Sequence, residues 1–362
     1  MAGPAPLRAT PAAPIPAGGV AEWYVGAGGV RLRAALFPAV GAPRGTVVVS
    51  PGRTEPIEKY FETAETLTAR GFAVLVHDWR GQGLSHRLLP DRLLGHARGS
   101  TDFLADFSTL LKAFETRLPR PWIALGHSMG GCLTLLALAA GAPGFSAAIL
   151  SAPMLGVSTG AVPVGVARVI AVVLTAIGLG GSPVVRSPAD QSFETNILTH
   201  DRARWERYEA QIAAWPDLAL GDPTWGWLDF ALSAARTLQA GPGVPRIDIP
   251  VTVVIAGDER LVDNADARRV AGRLKDGRLV EIPGAYHELL QETDDVRAAF
   301  WGEFDKLVER VVAADAPLPL SSTSPPIHPP PPGGARPPPA GLRSSRRGRG
   351  RRGGPGGRRT SR

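Results

Sequence analysis

The sequence predicts an α/β fold with a mainly parallel β-sheet flanked by helices, and with an all-helical insertion that caps one edge of the sheet. Short β-branched runs bounded by Gly and Pro alternate with helical patterns, which is typical of strand–helix–strand units. This alternation stops between residues 154 and 243, where only helical patterns occur. A Gly-x-Ser-x-Gly motif stands where a strand pattern gives way to a helical pattern.

Short apolar runs carry the strand prediction, because strands buried on both faces read as continuous rather than alternating apolar segments. The predicted strands are Thr46–Ser50, Phe72–His77, Trp122–Leu125, Ala147–Leu150, Pro250–Ala256 and Leu279–Ile282. Helical patterns lie between several of them, at Glu58–Arg70, Asp102–Arg117, Gly130–Ala140 and Ala265–Leu274. This order favours parallel pairing of the strands.

The interruption of the alternation predicts the cap. Helical patterns cover Pro163–Ile177, His200–Ala214 and Trp225–Leu238. Open α/β sheets bind ligands at the carboxyl edge of their strands. We therefore expect an insertion at residues 154–243 to cover that edge, between the two parts of an α/β core at residues 21–153 and 244–316.

Both ends of the chain have compositions that favour disorder. Residues 1–20 are rich in Ala, Pro and Gly and form a predicted lead-in. Residues 317–362 contain ten Arg, twelve Pro and no Lys, Asp or Glu, so they bury too little apolar surface to offset chain entropy. This tail is either a solvated extension or an arm that binds RNA or an anionic lipid surface.

Charge and cysteine content exclude several classes of protein. The net charge is +7, but the tail contributes ten positive charges, and residues 1–316 alone have a net charge of −3. No specific nucleic-acid partner is therefore expected. One cysteine among 362 residues excludes a disulfide framework and a Cys-rich zinc module. A reducing compartment, hence the cytoplasm, is the simplest setting.

The segment Gly126–Gly131 predicts a nucleophile. It reads Gly-His-Ser-Met-Gly-Gly and follows a predicted strand, which is the context of a nucleophile elbow built from Gly126, His127, Ser128 and Gly130. Small residues are needed because the tight strand-to-helix turn crowds the backbone. Ser128 is therefore the candidate nucleophile, and the following helix directs its free amides toward developing negative charge.

The expected order along the chain is serine, acid and then histidine. His287 follows the last predicted strand and is the candidate base. Asp258, Glu259 and Asp263 all follow Pro250–Ala256 and qualify as the acid by position. Any of these three carboxylates could instead be a helix N-cap or a solvated loop charge.

Two backbone amides are needed to bind an oxyanion. One belongs to the residue after the nucleophile, Met129. The other comes from the loop after an early strand, where Ser50-Pro51-Gly52-Arg53 makes the Arg53 amide the candidate.

Five motifs together resemble the monoacylglycerol lipase and bacterial lysophospholipase branch of the α/β-hydrolases. They are Pro51–Glu55, His77–Ser85, Gly126–Gly131, Glu259–Asn264 and Gly284–Glu288. The resemblance implies an α/β-hydrolase fold and a serine esterase of monoacyl lipids, with a helical cap gating an acyl pocket and with no metal or organic cofactor. Many relatives have Asp where this chain has Glu259, so we favour Glu259 as the acid over Asp258, with Asp263 third.

Residues 160–180 carry a single charge, Arg168. Pro163, Gly165 and this charge interrupt the segment, and the uninterrupted stretch Val169–Ile177 is too short to cross a bilayer. A cap helix with an apolar face that contacts a lipid surface or packs in the core is expected instead. Other hypotheses are a general esterase or aminopeptidase of the same fold, and a non-catalytic binding protein tethered by its basic tail.

Overall fold

One sheet runs through the part of the chain that the structure, a computed structural model, describes: residues 3–185, 192–315 and 341. Its nine strands have the order β1-β2-β3-β5-β4-β6-β7-β8-β9. The strands are β1 (Gly3–Ala5), β2 (Val20–Val25), β3 (Arg31–Phe37), β4 (Thr46–Ser50), β5 (Ala73–His77), β6 (Trp122–His127), β7 (Phe145–Ser151), β8 (Val251–Ala256) and β9 (Gly277–Ile282). Neighbouring strands among β4 to β9 pair in parallel, whereas β1, β2 and β3 pair with their neighbours in antiparallel orientation.

The helices cover both faces of this sheet. They are α1 (Phe61–Ala69), α2 (Thr101–Phe114), α3 (Met129–Ala139), α4 (Val164–Ala176), α5 (Arg202–Ala214), α6 (Trp225–Ala240), α7 (Asn264–Ala271) and α8 (Asp294–Asp315). Alternate residues of a strand point to opposite faces, so Val48 packs with the α2 and α3 side and Val47 with the α1 and α8 side. The predicted mainly parallel α/β sheet flanked by helices is confirmed.

The connection from β7 to β8 contains α4, α5 and α6, at the three places where the sequence has helical patterns. Helix α6 packs against α3 and α4, and its buried face includes Phe230 and Leu238. Each of α5 and α6 begins at a polar N-cap: Asp201 accepts from the Arg204 amide, and Thr224 accepts from the Trp227 amide. The three long elements of the insertion are thus all helices, and α6 joins them to the core through its contact with α3.

The expectation of a disordered lead-in over residues 1–20 is wrong for residues 3–20. Strand β1 pairs with β2, and the Arg33 guanidinium donates to the Pro6 carbonyl oxygen at 2.9 Å. Arg8 contacts Asp217 at 2.9 Å and lies over the ring of Trp215, both in the insertion. The composition suggested disorder because Ala, Pro and Gly bury little apolar surface, but backbone pairing and the two arginines Arg8 and Arg33 hold this segment instead.

The tail prediction, residues 317–362, lies outside the described residues except for Gly341. The chain divides into two units, residues 1–316 and residues 317–362. No helix among the described residues is both long enough and apolar enough to cross a bilayer.

Candidate active site

Ser128 occupies the sharp turn between β6 and α3. Its backbone has φ 51° and ψ −118°, a left-handed conformation that few non-glycine residues adopt. The flanking glycines are required by space: a Cβ on Gly130 would lie 2.0 Å from the Ser50 carbonyl oxygen, and one on Gly126 would lie 2.7 Å from Gly131 Cα. The strained turn raises the Ser128 side chain at the carboxyl end of β6, at the edge where α/β sheets bind ligands.

The structure brings Ser128, His287 and Glu259 into one hydrogen-bonded row. His287 Nε2 lies 2.9 Å from Ser128 Oγ, and His287 Nδ1 lies 2.7 Å from Glu259 Oε2. The side chains of His287 and Glu259 are only 5% and 2% exposed, so water competes little for these bonds. The arrangement can accept a proton from the hydroxyl and stabilise the resulting imidazolium.

Glu259 uses its two oxygens differently. Oε2 contacts His287, while Oε1 accepts from the amides of Arg260 and Leu261 at 2.9 and 2.8 Å. Burial raises the pKa of Glu259, but the imidazole and these loop amides outweigh burial and lower the pKa below its ordinary value. The carboxylate is therefore charged and fixed in orientation.

The other two candidate acids lie elsewhere. Asp258 is exposed, and its backbone amide donates to the Ala285 carbonyl oxygen at 2.9 Å. Asp263 is the N-cap of α7, where its carboxylate accepts from the amides of Ala265 and Asp266. The imidazole contacts neither carboxylate. Asp263 instead caps a helix, which is the alternative role expected for a carboxylate in this loop.

The two amides expected to bind an oxyanion belong to Arg53 and Met129. Met129 is the first residue of α3, where helical geometry leaves the N–H without a partner. Neither amide has a hydrogen-bond acceptor among the described residues. Both are thus available to a ligand, as an oxyanion site requires.

The Arg53 loop is held in place by side chains whose role the sequence did not predict. Glu55 Oε2 accepts from the Gly52 amide at 2.6 Å, and Gln82 Nε2 donates to the Gly52 carbonyl oxygen at 2.7 Å. Trp79 Nε1 donates to the Pro51 carbonyl oxygen at 2.9 Å. In the sequence, only the position of Glu55, two residues after Arg53, indicated such a contact.

A buried ionic cluster lies behind the loop and the elbow. Lys59 Nζ is 3.1 Å from Glu55 Oε1, and Tyr60 donates to Glu55 Oε2 at 2.6 Å. Burial raises the pKa of Glu55, yet the nearby Lys59 and His127 lower it to about 2. Burial lowers the pKa of His127 to about 4 although Glu55 acts in the opposite direction, so this elbow residue is neutral at pH 7.

A small cleft opens beside Met129, whose amide is one of the two candidates to bind an oxyanion. Met129 and Gln82 line it from the core, and Leu220 and Trp227 line it from the insertion. No group of three or more His, Cys, Asp or Glu side chains suited to a metal ion occurs in residues 3–185 and 192–315.

Comparison with known proteins assigns the chain to a family. A family model described as "Serine aminopeptidase, S33" matches residues 41–294. Lysophospholipase L2 of Escherichia coli K12 is 35% identical over 295 residues, which cover 76% of this chain and 83% of the relative. Monoacylglycerol lipase of Mycolicibacterium smegmatis is 31% identical over 280 residues, which cover 75% and 91%.

The chain is an α/β-hydrolase. It belongs to the branch of the monoacylglycerol lipases and bacterial lysophospholipases, which confirms the resemblance of the five motifs. A solved structure of a soluble variant of monoglyceride lipase from Saccharomyces cerevisiae has a TM-score of 0.65 at 20% identity, covering 80% of this hydrolase and 94% of that chain. At this identity the match supports the α/β-hydrolase fold alone, and that prediction is confirmed. The hydrolase is accordingly a serine ester hydrolase.

Proposed function

We propose that the hydrolase cleaves the carboxylic ester of monoacyl lipids, lysophospholipids or monoacylglycerols, with Ser128 as nucleophile and His287 as base. The observation that carries the proposal is the bond of 2.9 Å between His287 Nε2 and Ser128 Oγ, at a strained elbow. The relatives named lysophospholipase L2 and monoacylglycerol lipase support this substrate class.

In the proposed acylation, Ser128 Oγ attacks the ester carbonyl carbon and His287 Nε2 takes the hydroxyl proton. Glu259 holds the imidazole through Nδ1 and stabilises its cationic form. The amides of Arg53 and Met129 bind the carbonyl oxygen as it becomes negative, and one such donor is commonly worth about 2.7–4 kcal/mol. His287 then gives the proton to the oxygen of the departing alcohol, which leaves an acyl-enzyme.

Water completes the cycle by the same route. His287 takes a proton from water, the hydroxide attacks the acyl carbonyl carbon, and Ser128 leaves with the proton returned by His287. Each proton that His287 accepts is returned within the same half-reaction. The residues that carry the proposed chemistry are all from this chain, and none of the steps requires a cofactor.

The Ser128→Ala variant tests the proposal. Removing the nucleophile should lower hydrolysis of a lysophospholipid and of a monoacylglycerol by several orders of magnitude, with the melting temperature of the protein unchanged. A variant that kept more than about a tenth of the activity would reject Ser128 as the nucleophile. An aminoacyl amide belongs in the same panel because the family description names a serine aminopeptidase. Faster cleavage of that amide than of every lipid ester would reject the proposed substrate class.

We further propose that the enzyme is cytoplasmic and reaches its lipid by peripheral contact through α4. Exposed apolar side chains lie along one side of this helix at positions three or four apart: Val166, Val169, Ile170, Val173 and Ile177. The only charge in α4 is Arg168. An apolar helix face of this kind enters the boundary between lipid headgroups and acyl chains.

Vesicles of neutral phosphatidylcholine test this contact. The double variant Val169→Glu/Val173→Glu should bind them at least about tenfold more weakly, since charge is costly among acyl chains. The matched control is Ser233→Glu/Thr237→Glu, which adds the same charge at the same spacing on the exposed side of α6. Equal binding by the two variants would reject the α4 contact. Anionic vesicles at low salt, with and without residues 317–362, test the proposed role of the basic tail separately.

A further inference from the structure

The side chain of Arg53 extends from the oxyanion loop toward the insertion. Its Nη2 donates to the Gly221 carbonyl oxygen, and the guanidinium carbon lies 5.2 Å from the centre of the Trp227 ring. A Cβ on Gly95 would lie 2.8 Å from Nη2, so the glycine leaves the space that the guanidinium uses. Gly95 and Trp227 also line the cleft beside Met129, so the Arg53 guanidinium lies next to residues of the cleft wall.

Two buried donors at this place have no acceptor. Arg53 Nε and Trp227 Nε1 are both shielded from solvent and form no hydrogen bond in the described residues. Burial lowers the pKa of Arg53 to about 10, although the carboxylate of Asp222 nearby favours the charged form. An unsatisfied buried donor costs free energy, and these two lie on neighbouring side chains, so one acceptor group of a ligand would satisfy both.

The cleft brings these donors near one of the candidate oxyanion amides. Its wall includes Trp227 and Gly95, which lie next to the Arg53 guanidinium, and also Met129. Arg53 therefore presents two groups to one ligand: its amide for the ester carbonyl and its guanidinium for a group farther along. In a lysophospholipid a three-carbon glycerol separates the ester from the phosphate, a distance similar to the reach of an arginine side chain.

We propose that Arg53 and Trp227 bind the phosphate of the headgroup, so that the hydrolase prefers lysophospholipids to monoacylglycerols. The inference rests on the proposed function and narrows its substrate class. Guanidinium pairs with phosphate through parallel charge-assisted hydrogen bonds, and the indole N–H adds a third donor. A monoacylglycerol offers only hydroxyl groups at this position, which do not form the charge-assisted bonds that a phosphate forms.

The rival explanation is that Arg53 only fastens the insertion to the oxyanion loop through Gly221. Loss of a fastener would slow every substrate alike, whereas loss of a phosphate site changes the preference between substrates. The informative measurement is therefore a selectivity ratio: kcat/KM for 1-oleoyl-lysophosphatidylglycerol divided by kcat/KM for 1-oleoylglycerol, in the same mixed micelles. A shared effect on the oxyanion loop cancels in this ratio.

Arg53→Gln, which keeps the backbone amide, should lower the ratio roughly 10- to 100-fold, the usual size of a lost charge-assisted bond. Trp227→Phe keeps the ring, removes the N–H and should lower the ratio roughly threefold to tenfold. The matched control Arg236→Gln removes the same charge from an exposed position on α6 and should leave the ratio unchanged. An unchanged ratio in Arg53→Gln, or an equal fall in Arg236→Gln, would overturn the phosphate site.

Two further outcomes separate this inference from the proposed function. A wild-type enzyme that cleaves 1-oleoylglycerol but no lysophospholipid overturns the phosphate site and leaves the monoacyl-lipid hydrolase standing. A wild-type enzyme that cleaves neither overturns both. Glycerol 3-phosphate, which carries the phosphate without an acyl chain, tests whether the phosphate itself is bound. Inhibition that is lost in Arg53→Gln supports the site, and equal inhibition of wild type and this variant counts against it.

Discussion

Glu259 illustrates how one side chain is selected from a row of similar ones. Its neighbour Asp258 is also a carboxylate after β8, yet Asp258 is exposed while the Glu259 side chain is 2% exposed and reaches the imidazole. Neighbouring side chains in an extended loop point in different directions, so only one of the pair faces His287. The longer Glu side chain also lets Oε1 accept from its own loop amides while Oε2 contacts the imidazole.

Replacing Glu259 by Gln should lower kcat on a soluble short-chain ester by at least about 100-fold, since an amide does not stabilise the imidazolium and can hold the ring in the wrong tautomer. Asp258→Asn is the matched control and should stay within about tenfold of wild type. Steady-state kinetics on one ester measure both. The reverse ranking would assign the acid to Asp258, and two mild effects would point to Asp263.

The sequence was informative for Ser128 and His287 because a local motif and the order along the chain constrain them. It left the acid open, since the direction of a loop side chain is a tertiary property. The supporting residues Glu55 and Gln82 were missed for a related reason: their role depends on where the Gly52 backbone lies, and no local pattern encodes that contact.

Among the elements, α3 and β4 approach each other unusually closely at the elbow. Gly130 lies against the Ser50 and Pro51 carbonyl groups, with room for a hydrogen but not for a methyl group. Gly165 in α4 is also a helical glycine, but a Cβ there would meet nothing within 4 Å. The two positions separate a glycine required by packing from one that packing does not constrain.

Gly130→Ala should destabilise the protein by about 1–3 kcal/mol or more, because the backbone of β4 must move to admit the methyl group. Gly165→Ala should stabilise it by about 0.5–1 kcal/mol, because alanine has the higher helix propensity. Chemical denaturation of the two variants gives both free energies of unfolding. A Gly130→Ala protein as stable as wild type would mean that the close approach is not a constraint.

The central strands were predictable because burial on both faces makes them continuous apolar runs, as in β4 and β8. Strands β1, β2 and β3 escaped prediction: β2 mixes exposed and buried residues, and β1 is only three residues long. Helix α8 was also missed, because charged residues of both signs recur along its length and dilute its apolar face. Tertiary packing rather than local pattern defines these elements.

For the molecule as a whole, two buried neutral histidines make stability depend on pH. Burial lowers the pKa of His77 to about 3 and that of His127 to about 4, whereas an unfolded histidine titrates near pH 6.5. Between these values the unfolded chain binds more protons than the folded protein. The stabilisation is therefore complete above about pH 6.5 and is lost progressively as the pH falls.

We expect the free energy of unfolding to fall by about 2 kcal/mol for each of these histidines from about pH 7.5 to about pH 5. Urea denaturation at the two pH values measures the fall. His77→Gln should reduce the total fall by about 2 kcal/mol, because the new side chain does not titrate. Equal falls in wild type and in this variant would show that His77 is not the source.

The residues that contact the N-terminal segment lie at very different distances along the chain and are therefore synthesised at different times. Strand β1 meets its neighbour β2 within about twenty residues, but Arg8 and Ala9 contact Asp217 and Trp215 across more than two hundred. During synthesis residues 8 and 9 therefore leave the ribosome long before Trp215 and Asp217 are made. Their docking onto the insertion belongs among the last steps of folding, although the ribosome makes them well before the insertion.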